Sequence, residues 1–326
     1  DRDEAEDVWE QVDVPHTWNA TDGTSPDYYR GDGTYRYTLS VSPAMMKKRI
    51  FLRFEAASQK AEVKLNGQEV GEHVGGFNAF CFEITPYVHS GENLLEVIVS
   101  NRKELNIAPL EGDFTVFGGI YRPVSLLLLP KACITPLDYA SSGVYVSQQV
   151  GERRADLSVV TKVDNGLKRV KELSVKTDVF DAAGKLVATA TTSQAAEGQA
   201  RLDFTNRLTV DNPMLWDGRK SPYLYRVFVE LKRGKEVLDT LSQYVGLRSF
   251  RVDAEKGFIL NGKPYKIKGV NRHQDRPDKG WAISSADHRE DMSLIKEIGA
   301  NGIRLAHYPH SDEFYTPVSY THLTLP

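Results

Sequence analysis

Two runs of hydrogen-bonding side chains could carry chemistry. Asn271, Arg272, His273, Gln274 and Asp275 follow one short apolar run, and Arg304, His307, Tyr308, Pro309 and His310 follow another. Amides, imidazoles, guanidinium groups and a carboxylate together offer donors and acceptors in one place, which suits a neutral substrate held by hydrogen bonds. The four imidazoles of His273, His288, His307 and His310 also raise a metal reading, since imidazole is the commonest transition-metal ligand. No HxxxH or HxH spacing joins them, however, and His288 falls on a helix away from the strand ends, so no metal site is assigned. Singly, each histidine reads equally well as a hydrogen-bonded core or loop residue, and Arg304 as an ion-pair partner. Together, on neighbouring strand ends, they read as a site. A further acid, Asp113, lies far upstream in Glu111-Gly112-Asp113-Phe114, just before Gly118-Gly119-Ile120-Tyr121-Arg122-Pro123. By composition alone it is a turn former.

The elements that must position the two runs begin near Gly257. Phe258-Ile259-Leu260 and Tyr265-Lys266-Ile267-Lys268 bracket Asn261-Gly262, the dipeptide of a tight hairpin. Ser284 followed by Asp287 predicts a capped helix start, Met292, Ile295 and Ile298 a buried stripe, and Gly299 the stop. With strands over Ile267–Val270 and Ile303–Ala306, the segment predicts a β-α-β unit and the opening of a parallel sheet. In a (β/α)8 barrel both polar runs would then face the mouth at the C-terminal strand ends. A barrel of about 250 residues cannot fit after Gly257, and only about one and a half repeats do. Thr316–Pro326 lacks Asp, Glu, Lys and Arg and any helical period, and is read as a non-native tail.

Upstream the texture is β. Period-two runs at Tyr35–Val41, Arg49–Glu55, Ala61–Val70, Leu94–Val99 and Val124–Leu129, with Asn66-Gly67 as a hairpin turn, predict an antiparallel sandwich or jelly roll. After Pro130 and Pro136, runs at Asp156–Val163, Glu172–Phe180, Lys185–Thr191, Leu202–Val210, Tyr223–Leu231 and Val237–Val245 predict about seven strands. Their spacing fits an immunoglobulin-like sandwich without the Cys–Trp–Cys pin.

The chain has 326 residues, 40% of them apolar and 26% charged, enough for two or three packed domains. Forty-one Lys and Arg against 44 Asp and Glu leave a net charge of -3, which provides no positive field for nucleic acid or an anionic membrane. The leucine run Leu126–Leu129 is far short of the roughly 20 residues of a membrane helix. Asp1–Asp13 holds no apolar leader, so any signal peptide is expected to be already removed or never present. Cys81 and Cys133 are too few for a disulfide framework and read as free buried thiols. Compartment is left open, with a slight lean to periplasmic or secreted.

The order of several short motifs resembles glycoside hydrolase family 2, the group of β-galactosidases and β-glucuronidases. The motifs are Val14-Pro15-His16-Thr17-Trp18-Asn19, Tyr29-Arg30-Gly31-Asp32-Gly33, Leu65-Asn66-Gly67, Gly118-Gly119-Ile120-Tyr121-Arg122, Leu215-Trp216 with Pro222-Tyr223-Leu224-Tyr225, Asn261-Gly262-Lys263-Pro264, Gly269-Val270-Asn271-Arg272-His273, and Arg304 with His307-Tyr308-Pro309. The resemblance implies a mainly β multidomain chain. It would comprise a jelly-roll sugar-binding domain over 1–130, an immunoglobulin-like β-sandwich over 131–251, and the first strands and helix of a TIM barrel over 252–315, then the tail at 316–326.

It further implies that His273 and His307 line the subsite for a terminal sugar, with Arg304 an active-site arginine and Asn271 beside them. Asp113 would be a carboxylate reaching in from the jelly roll. The family retains anomeric configuration with two glutamates on later barrel strands, so neither catalytic group is expected within this chain. The Asn-Arg-His and His-Tyr-Pro pair looks like the galactosidase and glucuronidase branch rather than the β-mannosidase branch; within it the expectation is an exo-acting β-galactosidase, with β-glucuronidase as the alternative. A non-catalytic carbohydrate-binding or adhesion protein is the competing class. The implied partner is a carbohydrate substrate, with homo-oligomerisation open. No cofactor is expected in these residues, and a divalent or alkali metal ion is left open for the complete enzyme.

Overall fold

The computed structural model describes residues 9–110, 112–168, 172–196 and 198–315. Glu111 and the tail at 316–326 lie outside the described residues. The first strands are β1 (Asp32–Val41), β2 (Arg49–Phe54), β3 (Lys60–Leu65), β4 (Gln68–Val74), β5 (Phe80–Glu83), β6 (Gly91–Ser100) and β7 (Val124–Leu129). They form two antiparallel sheets, ordered β1-β6-β3-β4 and β5-β2-β7, that face each other as a jelly-roll sandwich. Period-two alternation turns Val63 and Leu65 from β3, Leu95, Val97 and Val99 from β6, and Ile50, Leu52 and Phe54 from β2 into one core. Asn66 and Gly67 take φ of 52° and 76°, as the β3–β4 hairpin requires.

The second sandwich has eight strands among the described residues rather than about seven. They are β8 (Ala132–Ile134), β9 (Val144–Val150), β10 (Arg154–Asn165), β11 (Glu172–Phe180), β12 (Leu186–Ala195), β13 (Ala200–Asp211), β14 (Tyr225–Arg233) and β15 (Glu236–Val245). One sheet runs β13-β10-β8 with β9 also on β10, and the other runs β12-β11-β14-β15. This immunoglobulin-like core is mainly aliphatic, built on residues such as Val159, Val175, Val227 and Leu231 with Phe204 and Tyr225 among them. Neither Cys81 nor Cys133 is disulfide-bonded, and only Cys133 is fully buried.

The last segment is the start of a TIM barrel. A small sheet of β16 (Phe250–Asp253), β17 (Gly257–Leu260) and β18 (Lys263–Pro264) precedes β19 (Gly269–Arg272), helix α1 (Ser285–Glu297) and β20 (Gly302–Leu305). β19 and β20 pair in parallel from Gly269↔Gly302 to Arg272↔Leu305. The first parallel strand thus begins two residues later than its expected start at Ile267. The Asn301 side chain takes the Lys268 N–H at 2.5 Å and donates to the Lys266 carbonyl at 2.9 Å, removing both groups from any ladder.

Ser284 and Asp287 do form a reciprocal capping box on α1. Ile298 departs from expectation. It is 69% exposed, beyond the last helical turn and in line with Leu294, which is 53% exposed, while His288, Met292 and Ile295 form the buried stripe. At about 100° per residue, Ile298 lies on the flank of that stripe rather than within it.

Arginines and one aromatic cluster join the three parts. Arg49 of β2 meets Glu83 at 2.6 Å and Asp164 of the second sandwich at 3.1 Å. Arg53 donates to the Ala140 carbonyl at 2.8 Å. Arg122 spans the first sandwich and the barrel start, donating to the Phe77 carbonyl at 2.9 Å and the Pro309 carbonyl at 2.6 Å.

Trp281, 1% exposed, sits at the centre of the cluster. Its ring centroid lies 5.1 Å from those of Phe77 and Tyr121, 5.4 Å from Phe117 and 5.0 Å from Tyr308. The approach requires Gly280, with φ +50°, because a Cβ there would come within 2.4 Å of the Phe117 ring.

Trp281→Ala should therefore loosen the barrel start from the first sandwich by about 3–5 kcal/mol, the usual cost of emptying a buried tryptophan site. Amide hydrogen exchange should show α1 losing protection while β8–β15 keep theirs. Unchanged protection of α1 would show that the cluster does not dock the segment.

Candidate functional site

β19 separates its side chains by strand periodicity. Arg272, 5% exposed, points to the helix layer, where it meets Asp291 of α1 at 2.9 Å through Nε and 2.6 Å through Nη2. Its other donors reach His310 Nδ1 at 2.9 Å and His288 Nδ1 at 3.1 Å, and its guanidinium carbon lies 3.9 Å from the centroid of the Phe314 ring. A guanidinium has no acceptor, so both Nδ1 atoms must be the unprotonated nitrogens of neutral imidazoles. Burial, assisted by the nearby Arg272 charge, pushes His288 down to about 4 and His310 down to about 3. Burial likewise lowers Arg272, with Asp291 opposing, and raises the Tyr308 phenol.

Two expectations change here. Arg272, Gln274, Tyr308 and His310 do not face the mouth but are buried. His288 is not remote from the strand ends, because it is a partner of Arg272.

The other face holds the expected site residues. Asn271 and Arg304 are register partners across the parallel pair and both are exposed. Arg304 Nη2 lies 3.2 Å from His307 Nδ1, so the His307 Nε2–H is the ring's available donor. His273, half-buried, stands edge-on to His307 with centroids 5.2 Å apart at 79°.

Asp113 comes from the first sandwich on the loop before β7 and is exposed, whereas Phe114 beside it turns inward. The Phe114 centroid is 6.0 Å from that of His307, nearly parallel at 26°, and 6.4 Å from that of His273. The loop that carries the carboxylate thus reaches the strand ends that carry the two histidines.

It is held by the sandwich itself. The Val116 N–H donates to Tyr28 Oη at 3.0 Å, Asn101 Nδ2 donates to the Val116 carbonyl at 2.9 Å, and the Gly118 N–H donates to Asn19 Oδ1 at 2.8 Å. Such a constellation can hold a polar ring through several hydroxyls with donors and acceptors already in place. Among the described residues no group of three or more His, Cys, Asp or Glu is arranged to hold a metal ion. Sequence reasoning missed the structural parts of Phe114, Trp281 and Tyr308. Phe114 lies inside a quoted motif, but nothing in its spacing signals a contact with His307.

Comparison with known proteins agrees with the architecture. Residues 3–130 match the family model described as "Glycosyl hydrolases family 2, sugar binding domain". Residues 142–248 match "Glycosyl hydrolases family 2", and 250–320 match "Glycosyl hydrolases family 2, TIM barrel domain". A β-glucuronidase of Bacteroides fragilis is 41% identical over 94% of this chain and 44% of its own length. A β-galactosidase of Bacteroides ovatus is 33% identical over 95% of this chain and 36% of its own. The crystal structure of Bacteroides uniformis β-glucuronidase superposes with a TM-score of 0.94 at 38% identity, over 97% of this chain and 38% of that one. The chain therefore spans less than half the length of these relatives.

The buried histidines give the stability of the barrel start a pH dependence. Unfolded, each imidazole takes a proton near 6.5; folded, only near 4 and 3. The unfolded chain therefore binds protons first, and stability present above pH 6.5 falls as pH drops toward the folded values. The slope approaches about 1.4 kcal/mol per pH unit per histidine. Hydrogen exchange of α1, corrected for intrinsic rate, should accelerate between pH 6.5 and 4.5 more than that of the sandwich strands. His288→Gln should flatten the slope, and an unaltered slope would remove His288 as a cause.

Proposed function

The chain belongs to glycosyl hydrolases family 2, and from that premise we propose that it is the substrate-positioning part of an exo-acting retaining glycosidase that removes terminal β-galactosyl residues. The observation that carries this reading is the meeting of the Asp113–Phe114 loop with His273 and His307 at adjacent parallel strand ends. An exo-acting pocket must pair the hydroxyls of one ring. In this reading the His307 Nε2–H donates, the Asp113 carboxylate accepts, and Asn271 does both.

Hydrogen bonds to ring hydroxyls that tighten as the oxocarbenium-like state forms lower the barrier, whereas equally strong ground-state bonds would lower only KM. The acid/base and nucleophilic carboxylates, about 5–5.5 Å apart in a retaining enzyme, are assigned to later barrel strands of the complete enzyme. A terminal β-glucuronosyl substrate is the second reading. It is favoured by the 41%-identical β-glucuronidase and by the chemistry of Arg304, since a guanidinium can meet a sugar carboxylate bidentately.

Kinetics on nitrophenyl β-galactoside and β-glucuronide with the complete enzyme carrying this sequence will separate the two. The larger kcat/KM identifies the substrate, and turnover of neither would overturn the glycosidase reading. His307→Ala should lower kcat/KM on the preferred substrate by about 2 kcal/mol, about 30-fold, as for loss of a preorganised donor. An unchanged kcat/KM would make His307 a structural histidine. The 326-residue chain alone should give no turnover above a buffer blank, because positioning groups supply neither nucleophile nor proton donor. Turnover that survives repurification would locate those groups within these residues.

A further inference from the structure

We propose that Phe114 is a positioning residue through which the first sandwich sets the orientation and tautomer of His307 and, through it, of His273. The proposal rests on the glycosidase reading only for its kinetic consequence. His307 is exposed, and an exposed imidazole ordinarily samples several rotamers. The hydrogen bond from Arg304 Nη2 at 3.2 Å fixes the place of a single ring nitrogen and leaves the ring plane free to swing about it. Arg304 is itself exposed, so this bond alone is a weak restraint.

The Phe114 face supplies what is missing. It lies nearly parallel to the His307 ring, at 26° and 6.0 Å. Its own place is fixed from behind by Tyr308, edge-on at 5.3 Å, and by Trp281 at 6.4 Å, which are 6% and 1% exposed. Both ends of the restraint are therefore rigid: buried rings on the barrel side, and the hydrogen-bonded backbone of Val116 and Gly118 on the sandwich side. His273 is then packed edge-on against a ring that cannot turn. With the plane fixed and Nδ1 accepting from Arg304, the Nε2–H projects in one direction, so a sugar hydroxyl meets an oriented donor and the ordering cost falls before binding.

The test uses histidine labelled with 13C and 15N in the 326-residue chain, comparing wild type with F114A, F114L and F114Y. F114L keeps bulk at the site while removing the flat face. In wild type the 15N shifts of His307 should report one tautomer, protonated at Nε2, and ring 13C relaxation should report a rigid side chain. F114A and F114L should give a tautomer mixture and a mobile ring with α1 protection retained, and F114Y should restore both signatures. A rigid, single-tautomer His307 in F114L overturns the proposal, even if F114A fails to fold.

In the complete enzyme F114L should lower kcat/KM at least about tenfold, mostly in kcat, the pattern of a misoriented rather than absent group. An unchanged kcat/KM beside a mobile His307 ring would overturn the kinetic half. A wild-type enzyme inactive on both nitrophenyl glycosides would sink the glycosidase reading, while the tautomer and relaxation data would still decide the role of Phe114.

Discussion

Trp281 belongs to the barrel start, yet most of the rings around it belong to the first sandwich. Among the described residues no strand is shared between these two parts, so their relation depends on side-chain packing and on polar contacts such as the bond from Arg122 to the Pro309 carbonyl and the ion pair of Arg53 with Asp312. Aromatic rings suit this task. Each buries a large area with few rotatable bonds, and their tilted and edge-on contacts fix angles as well as distances. The cluster holds Phe77, Phe117 and Tyr121 on one side and Tyr308 on the other, with Gly280 admitting the close approach. Once it is formed, the Asp113–Phe114 loop and the β20 end occupy a common space, and the candidate site follows from that.

A single strand presents one buried and one exposed face because its residues alternate. Arg272 looks toward α1 and gathers Asp291, His288 and His310, while Asn271 looks the other way beside Arg304. The guanidinium can be buried because it is paired, hydrogen-bonded and covered by the Phe314 ring, which compensates for lost hydration. Burial, assisted by its charge, in turn keeps the neighbouring histidines neutral. The two faces differ in kind, one buried against the helix, the other exposed.

The β texture, both Asn-Gly hairpins and the capping box were legible from spacing, because local backbone chemistry alone specifies them. Period two gave β7 its bounds without error, while β5, β8 and β9 were missed, being short or nearly all polar on one face. Asn301 displaced the start of β19 through side-chain bonds that no periodicity reveals. The misjudged polar runs have the same origin. Reading Arg272 and His310 as mouth residues treats a run of polar letters as one cluster, whereas alternation sends every second side chain to the far face. The contact between Phe114 and His307 spans almost two hundred positions, and only the tertiary fold brings it about.

This arrangement bears on what kind of module the first sandwich is. A separable binding domain would carry its own pocket on its own surface and need only a linker to its neighbour. Here the loop before β7 is anchored at Asn19, Tyr28 and Asn101 inside the sandwich, while its tip packs on His307 and Tyr308 of the barrel start. Its apolar tip would be an exposed liability if the two parts came apart. The sandwich therefore forms a wall beside the strand-end histidines, and in the role proposed for Phe114 its stability and their orientation are coupled through the same few rings.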